Sequence, residues 1–340
     1  MLPKITAICL TIIVSLCLAT YIELRFAHAP LMLGNVEHTL NIKRGMSVKS
    51  VAALLKEKNI LSGIQSKQFL LWVKVNKADK KLKAGTYLLS GKLTPDQLMN
   101  KLIIGDVAQY AITIIEGQTV SDFLEKLKQH PAIFQTVEKL NEKEILALLE
   151  APYPYLEGIF FPDTYYFPAQ TQDITLLKLA YQTMQRHLTK AWEKRAETLA
   201  VHTPYEALIL ASIIEKEGQL SVERPLISGV FHRRLAKKMR LQADPTVLYA
   251  LGNKTKNITK ADLKMDNPFN TYVYPHLPPS PIALPGLDAI EAALHPDDSE
   301  ALYFVAKGDG SHYFSANLNE HNKAVQKYQL QQPVQGVLSE

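Results

Sequence analysis

One stretch near the N-terminus restricts the fold of this chain more than any other. Ile5 to Ile22 is a run of 18 residues without a charge, preceded by Lys4 and followed closely by Arg25. A helix that crosses a bilayer needs about 17–25 apolar residues. We therefore predict that residues 1–30 hold one transmembrane helix, with the positive Lys4 end in the cytoplasm and the rest of the chain outside it.

A cleaved signal peptide is the alternative for this segment. The uncharged run is longer than the core of a usual signal peptide, which has about 7–15 apolar residues. The triplet from Ala27 to Ala29 resembles a cleavage site, but Pro30 would then follow the cut, where it is unfavourable. The sequence favours a retained anchor.

The composition describes a globular chain with a substantial core. Of its 340 residues, 47% are hydrophobic and 21% are charged, which suits two or three folded domains. The net charge is +5, but no basic tract is interleaved with aromatic residues, so nucleic acid is not a predicted partner. Cys9 and Cys17 both lie in the apolar run, so no disulfide or cysteine metal site can exist beyond it.

Two similar stretches follow the anchor. Leu40–Lys56 and Ile112–Lys128 align at an offset of 72 residues. Each reads as a short apolar strand, a turn at glycine, a helix cap at Ser47 or Thr119, and an amphipathic helix. Between them the sequence predicts a further strand and helix.

The segment between these copies completes a small predicted module. It contains an apolar strand, Tyr87–Leu89, and a helix capped by Thr94 with Pro95 at its first position. We predict a small α+β subdomain over residues 31–130. Short strand–helix units of this kind resemble LysM-type carbohydrate-binding modules, and a spacer with an ordinary core is the alternative.

Residues 131–340 are predicted to form a separate domain that mixes helices with short strands. The fold class is therefore α+β. Tyr155–Thr171 interrupts a helical region with prolines and aromatic residues, and we expect it to be loop or short strand. Its aromatic residues are expected in the core, and a sugar-site lining beside Glu157 and Asp163 is the alternative. Three segments follow: a proline-rich irregular stretch at Asn267–Gly286, a hairpin of Leu302–Ala306 with His312–Ser315, and a polar helix from about Asn319.

Several kinds of chemistry are excluded by missing motifs. The sequence contains no GxSxG elbow, P-loop, HExxH or GxGxxG pattern, and its ten histidines lack metal-ligand spacing. A serine triad, a zinc hydrolase and a nucleotide enzyme are poor fits. No metal or organic cofactor is suggested.

A pair of glutamates in the segment "ASIIEKEG", Ala211–Gly218, is the best candidate for chemistry. On a helix, Glu217 shares the face of Ile213 and Ile214, whereas Glu215 lies on a smaller, partly polar face. Burial and the negative end of the helix both raise the pKa of Glu217, because they disfavour its charged form. A carboxyl that keeps its proton near neutral pH can protonate a glycosidic oxygen.

The alternative explanation for both glutamates is structural. Either one could pair with a nearby arginine, and the candidates are Arg224, Arg233 and Arg234.

Polar residues near two predicted turns are candidates for binding a sugar. Gln242, Asp244 and Thr246 precede a buried helix, and Asn270 and Tyr272 lie in the proline-rich stretch. Their amides, hydroxyls and carboxylate suit the hydroxyl and acetamido groups of a glycan. They also suit tight loops, and Asp244 is predicted to cap a helix, which alone would explain it.

Several of these motifs together resemble the endolytic murein transglycosylase family (MltG, YceG-like). They are "ASIIEKE", "SGVFHRRLAKKMRLQADPTVLYALG", "NTYVYPHLPPSPIALPG", "LYFVAKGDGSHYFS" and "EGIFFPDTYYF", behind an N-terminal anchor. The resemblance implies a single-pass inner-membrane protein with a LysM-like subdomain and a periplasmic catalytic domain. It implies a carbon–oxygen lyase that cleaves between N-acetylmuramic acid and N-acetylglucosamine within nascent peptidoglycan strands, leaves 1,6-anhydro ends, and ends strand elongation beside the peptidoglycan synthases.

The resemblance also implies roles for individual residues. The second glutamate of "EKE", Glu217, would be the single general acid and base, since the sugar's own 6-hydroxyl is the nucleophile. Matching positions imply that a groove is lined by Gln242, Asp244, Thr246, Asn270 and Tyr272. The sequence departs from the family pattern at Gly218, where threonine is usual, and at His276 and Ser280, where glycine is usual.

Two other functions stay open on the sequence alone. One is a true muramidase, in which Asp244 or Glu215 supplies the second carboxylate that hydrolysis needs. The other is a factor that binds peptidoglycan without cleaving it.

Overall fold

The computed structural model describes residues 2–34, 37–218, 220–253 and 257–330. The chain divides into two compact units. Unit 1 comprises Met1–Ala111 and Tyr166–Gln170, and unit 2 comprises Ile112–Tyr165 and Thr171–Glu340. The second of the two similar stretches therefore belongs to unit 2. The predicted boundaries of the anchor at residue 30 and of the LysM-like subdomain at residue 130 stay predictions.

The N-terminal helix α1 (Leu2–His28) matches the expected length of a membrane span. Its segment Ile8–His28 has 21 residues and a mean hydropathy of 1.8. Large apolar side chains such as Leu10 and Leu16 are exposed by 64% and 60%, so they lack the partners that a soluble core would give them. The helix is long and apolar enough to cross a membrane, as a signal sequence also is.

Unit 1 is a small mixed module built around an antiparallel strand pair. Its elements after α1 are β1 (Leu31–Met32), β2 (His38–Ile42), α2 (Val48–Glu57), α3 (Gly63–Val75), β3 (Gly85–Leu89), β4 (Lys92–Leu93) and α4 (Pro95–Ile104). Strand β2 pairs with β3, and Leu40 lies opposite Tyr87. Both side chains are fully buried and join α2, α3 and α4 in one core.

The helix caps in unit 1 confirm the sequence prediction. The Ser47 hydroxyl accepts the backbone N–H of Ser50 at the start of α2. Thr94 and Gln97 form a capping box, with Pro95 as the first residue of α4. Helix α3 was missed, because its apolar residues do not lie on one face.

Unit 2 is larger and mainly helical. Its elements, including β5 and β7, which have residues in both units, are β5 (Gln109–Thr113), α5 (Val120–Gln129), β6 (Ile133–Phe134), α6 (Glu142–Leu149), β7 (Thr164–Pro168), β8 (Thr171–Gln172), α7 (Asp173–Glu193), α8 (Pro204–Glu217), α9 (Arg224–Ala236), α10 (Asp244–Ala250), α11 (Leu287–Leu294), β9 (Tyr303–Ala306), β10 (His312–Ser315) and α12 (Leu318–Val325). Short 3₁₀ helices cover Ser221–Glu223 and Asp262–Lys264, and a π-helical turn covers Gln326–Leu330.

Helix α8 lies at the centre of unit 2. Every residue from Ala207 to Ile214 is buried, and α8 packs against α7, α9, α10 and α11. The buried hydroxyl of Ser212 accepts the backbone N–H of Ile282 at 3.0 Å, which fixes the proline-rich stretch against the helix. A helix buried on all sides needs a specific reason to end in charged residues.

The predictions for the irregular parts of unit 2 are largely confirmed. Phe160, Phe161 and Tyr165 are buried, as expected for core residues, whereas Tyr155 and Tyr166 of the same cluster are exposed. Strands β9 and β10 form the predicted antiparallel hairpin, with Ala306 opposite His312. Helix α11, directly after the proline-rich stretch, was not predicted.

Candidate active site

Glu217 is the last residue of α8, as the sequence predicted. The helix begins behind an N-cap at Thr203, and its Leu210, Ile213 and Ile214 side chains are fully buried. Gly218 ends it without the left-handed conformation of a typical helix-stop glycine, since its φ is −84°. A Cβ there would lie 2.8 Å from Cγ of Arg224 and 3.1 Å from the Ile214 carbonyl oxygen, so close packing favours glycine.

The surroundings of Glu217 favour its protonated form. Burial raises the pKa of this carboxyl from 4.5 to about 8, and the nearby Asp244 carboxylate adds to the rise. Within the described part of the chain, Glu217 has no hydrogen bond or ion pair that would stabilise its charged form. The carboxyl is therefore mostly protonated at neutral pH, so it could donate a proton.

Glu215 has a different environment on the next face of α8. Its Oε1 lies 2.8 Å from Nη2 of Arg224, and its Oε2 accepts the backbone N–H of Gly286 at 3.0 Å. Both side chains of the ion pair are largely buried: 10% of the Arg224 side chain and 6% of the Glu215 side chain are exposed. The structural alternative is thus confirmed for Glu215, with Arg224 as its partner.

The Glu217 side chain lines a cavity of about 520 Å³ in unit 2. One side is apolar and aromatic and includes Tyr303 and Phe304 of strand β9. The polar residues that line it include Glu217, Arg234, Gln242, Asp244, Tyr272, His312, His321, Asn322 and Gln329. Among the residues that the structure describes, no three His, Cys, Asp or Glu side chains converge as metal ligands.

Asp244 faces this cavity from the start of α10. The prediction that Asp244 caps the helix was wrong: Ala243 occupies the cap position, and no side chain caps the end. Oδ1 of Asp244 instead accepts a hydrogen bond from the Tyr272 hydroxyl at 2.5 Å. Burial and then this carboxylate raise the pKa of Tyr272, so the phenol keeps its proton and donates it.

Gln242 reaches the cavity from a strained backbone position. Its φ of +55° is in the left-handed region, which costs a residue with a side chain about 1 kcal/mol or more. Its backbone N–H donates to the Thr271 carbonyl at 3.1 Å, and its Oε1 accepts from Nη1 of Arg234 at 3.1 Å. Strain of this kind is typical of functional sites.

Thr246 and Asn270 are buried beside these residues and do not line the cavity. The Thr246 hydroxyl bonds to the Ala243 carbonyl at 2.7 Å and to the Thr271 hydroxyl at 2.9 Å. Asn270 donates to the Met265 carbonyl at 2.8 Å and accepts the backbone N–H of Tyr272 at 3.0 Å. The structure therefore brings Gln242, Asp244 and Tyr272 to the cavity with Glu217, and it places Thr246 and Asn270 where they fix the two loops.

Arg234 is a cavity residue that sequence reasoning considered only as a partner for a glutamate. It is buried, and it donates to the carbonyls of Leu302 at 2.7 Å and Leu241 at 2.9 Å. Its guanidinium also lies 5.0 Å from the ring centre of Tyr303. Arg234 thus joins the hairpin to the Gln242 loop, a long-range role that no local pattern in the sequence indicates.

Comparisons with known proteins agree on one family. A model of the YceG-like family matches residues 40–327. A Bacillus subtilis (strain 168) protein named endolytic murein transglycosylase is 34% identical over 308 residues, which cover 85% of this chain and 84% of that protein. A Streptococcus pneumoniae (serotype 2, strain D39) protein of the same name is 29% identical over 325 residues, and the match spans 58% of its length. The crystal structure of a YceG-like protein from Listeria monocytogenes superposes with a TM-score of 0.51 at 32% identity, covering 85% of this chain and 99% of that chain.

Proposed function

The chain belongs to the YceG-like family, and on that premise we propose that it is an endolytic murein transglycosylase, a lyase that cleaves peptidoglycan strands. The observation that carries the proposal is the Glu217 carboxyl. It lines the cavity, its pKa is raised to about 8, and it has no ion pair among the described residues. The curated relatives of this name cover most of the chain.

We propose that Glu217 is both the acid and the base of the reaction. Its proton passes to the oxygen that joins N-acetylmuramic acid to N-acetylglucosamine, and the bond from the muramic C1 to that oxygen breaks. The Glu217 carboxylate then takes the proton of the muramic 6-hydroxyl as this oxygen bonds to C1. A 1,6-anhydro end results, Glu217 regains its proton, and no water is consumed.

The contacts of the other two candidate carboxylates support a single catalytic group. Glu215 is occupied by Arg224 and by the Gly286 N–H, so it is poorly placed to activate water as a muramidase would require. Asp244 does face the cavity, but one of its oxygens accepts the Tyr272 hydroxyl. We propose that Gln242, Asp244 and Tyr272 bind the glycan, whereas Thr246 and Asn270 hold their loops in place.

The remaining parts of the chain suggest where the reaction occurs. We propose that α1 anchors the protein once in the inner membrane, with residues 31–340 on the periplasmic side beside the peptidoglycan synthases. We propose that unit 1 is a LysM-like module that binds glycan. The order β2-α2-α3-β3 with its antiparallel pair supports the likeness in fold.

The product of cleavage tests this function. Uncrosslinked glycan strands would be treated with the full-length protein in detergent, in water labelled with ¹⁸O, and the new ends read by mass spectrometry. A transglycosylase leaves unlabelled anhydro-muramic ends, because no water enters the product. Labelled reducing ends would mean a muramidase, and intact strands would favour a binding factor.

The raised pKa of Glu217 predicts how activity depends on pH. The first step needs the protonated carboxyl, which persists up to a pKa of about 8. We therefore expect kcat/KM to hold through neutral pH and to fall about tenfold for each pH unit above 8. A pH profile of strand cleavage measures this, and a fall that began near pH 5 would contradict the proposed role.

Replacing Asp244 with asparagine should shift this profile. The Asp244 carboxylate raises the pKa of Glu217, so its removal should lower that pKa and move the alkaline limb to lower pH. The amide still accepts from Tyr272, which keeps the loop contact. Tyr272→Phe, which retains the carboxylate, is the matched control, and its alkaline limb should stay near that of the wild type.

A further inference from the structure

We propose that His312 is a substrate-binding residue of the Glu217 cavity and that Glu223 positions it. In this proposal, which rests on the proposed function, Nε2 of His312 forms a hydrogen bond with a hydroxyl group of the glycan. The residue lies on β10, and Glu223 ends the short 3₁₀ helix before α9. Neither residue was a site candidate in the sequence.

Glu223 fixes the orientation and the tautomer of the imidazole. Its Oε2 lies 2.7 Å from Nδ1 of His312, and its two oxygens accept the backbone N–H of the same residue at 3.1 and 3.2 Å. An ionised carboxylate can only accept, so Nδ1 carries the hydrogen. Nε2 is then the nitrogen left for a ligand, and a hydroxyl group can bond to it whether it accepts or donates.

Aromatic neighbours hold the ring further. The imidazole packs edge-on against Phe304, with ring centres 5.4 Å apart and planes at 88°, and its centre lies 6.3 Å from that of Phe314. Only 10% of the side chain is exposed, and the ring lines the cavity that contains Glu217. A polar group held in one orientation beside a cavity can bind a ligand without further loss of side-chain entropy.

A second histidine of unit 2 shows what a purely structural imidazole looks like. His232 uses both nitrogens: Nδ1 contacts the Ala200 N–H at 3.0 Å, and Nε2 contacts the Ala293 carbonyl at 2.8 Å. By contrast, the described part of the chain supplies a partner to Nδ1 of His312 and none to Nε2. Nε2 of His312 is therefore the ring nitrogen that remains for a ligand in the cavity.

Two substitutions separate binding from support of the hairpin. His312→Asn places an amide nitrogen near the Nδ1 position, so it keeps the contact to Glu223 and loses Nε2. His312→Gln reaches the Nε2 position with its amide oxygen and gives up the Glu223 contact. A structural role predicts that Gln is the more harmful change, whereas substrate binding predicts that Asn is.

The affinity measurement uses the full-length protein in detergent, in the Glu217→Gln background, so that the strand is not consumed. The probe is an uncrosslinked glycan fragment of defined length, and its binding affinity is measured by calorimetry. We expect His312→Asn to weaken binding about tenfold, the effect of one lost hydrogen bond to a buried site, and His312→Gln to recover part of it. With Glu217 intact, His312→Asn should raise KM more than it lowers kcat.

The role of Glu223 is tested in the same assay. Glu223→Ala should weaken binding when His312 is present and add little in the His312→Asn variant, because it acts through that imidazole. The inference would be overturned if His312→Asn and the wild type had equal affinity and equal KM. It would also be overturned if His312→Asn lowered the melting temperature enough to account for the whole loss of affinity. A Glu217→Gln protein that binds no fragment would overturn it as well. Labelled reducing ends in the product test would overturn the transglycosylase reaction while leaving the His312 result to stand.

Discussion

Replacing Glu217 with glutamine is expected to lower strand cleavage by about 10³-fold, within the range of about 10²–10⁴ for loss of a general acid. The amide keeps the size of the side chain but has no proton to give to the glycosidic oxygen. The rate of anhydro-end formation on uncrosslinked strands measures the effect. Glu193→Gln is the matched control, because Glu193 also ends a helix, α7, but is exposed there; it should leave the rate unchanged.

The same variant should gain stability rather than lose it. Because the pKa of Glu217 in the folded protein is raised from 4.5 to about 8, the stability that its bound proton contributes is complete below about pH 4.5 and is lost as the pH rises towards 8. Glutamine does not titrate, so the melting temperature of Glu217→Gln relative to the wild type should increase between pH 5 and pH 8. A lower melting temperature together with lost activity would mean that Glu217 supports the fold.

The second large effect concerns the ion pair beneath the site. Arg224→Met should lower the free energy of unfolding by about 3 kcal/mol, because it leaves Glu215 buried without its cation. Among the described residues, only the Gly286 N–H would still bond to this carboxylate. Denaturant unfolding measures the loss, and Arg240→Met, at an exposed position, should change stability by no more than about 0.5 kcal/mol.

A double replacement distinguishes the ion pair from simple packing. If the cost of Arg224→Met comes from an unpaired buried charge, Glu215→Met in the same protein should restore much of the stability. A double variant as unstable as the sum of the two single variants would contradict this explanation. In either case Glu215 acts on the fold, which agrees with its contacts.

The sequence predicted those features that depend on neighbouring residues. The caps at Ser47, Thr94 and Thr119, the end of α8 at Glu217 and the β9–β10 hairpin all follow from local chemistry and side-chain periodicity. Helix α3 was missed because Ile64, Leu71 and Val75 are exposed, so its apolar residues do not mark one buried face.

Contacts between distant parts of the chain were beyond such patterns. The hydrogen bond between Asp244 and Tyr272 joins positions 28 residues apart. The proline after Asp244 suggested instead that Asp244 caps the helix, which it does not. Arg234 and His312 line the cavity through partners 68 and 89 residues away in sequence. The face of Glu217 could be derived from spacing, whereas the groove around it depends on how α8, α10 and the hairpin pack.

The proposed reaction depends most directly on one carboxyl that keeps its proton, so the pKa of Glu217 is the first quantity to measure. Carbon-13 labelling of the glutamate carboxyls and NMR titration of the full-length protein in detergent, with Glu217→Gln to assign the resonance, would give it. We expect a midpoint of about 8, well above the ordinary value of 4.5. A midpoint near 4.5 would show that Glu217 is ionised at neutral pH and would contradict its role as the proton donor.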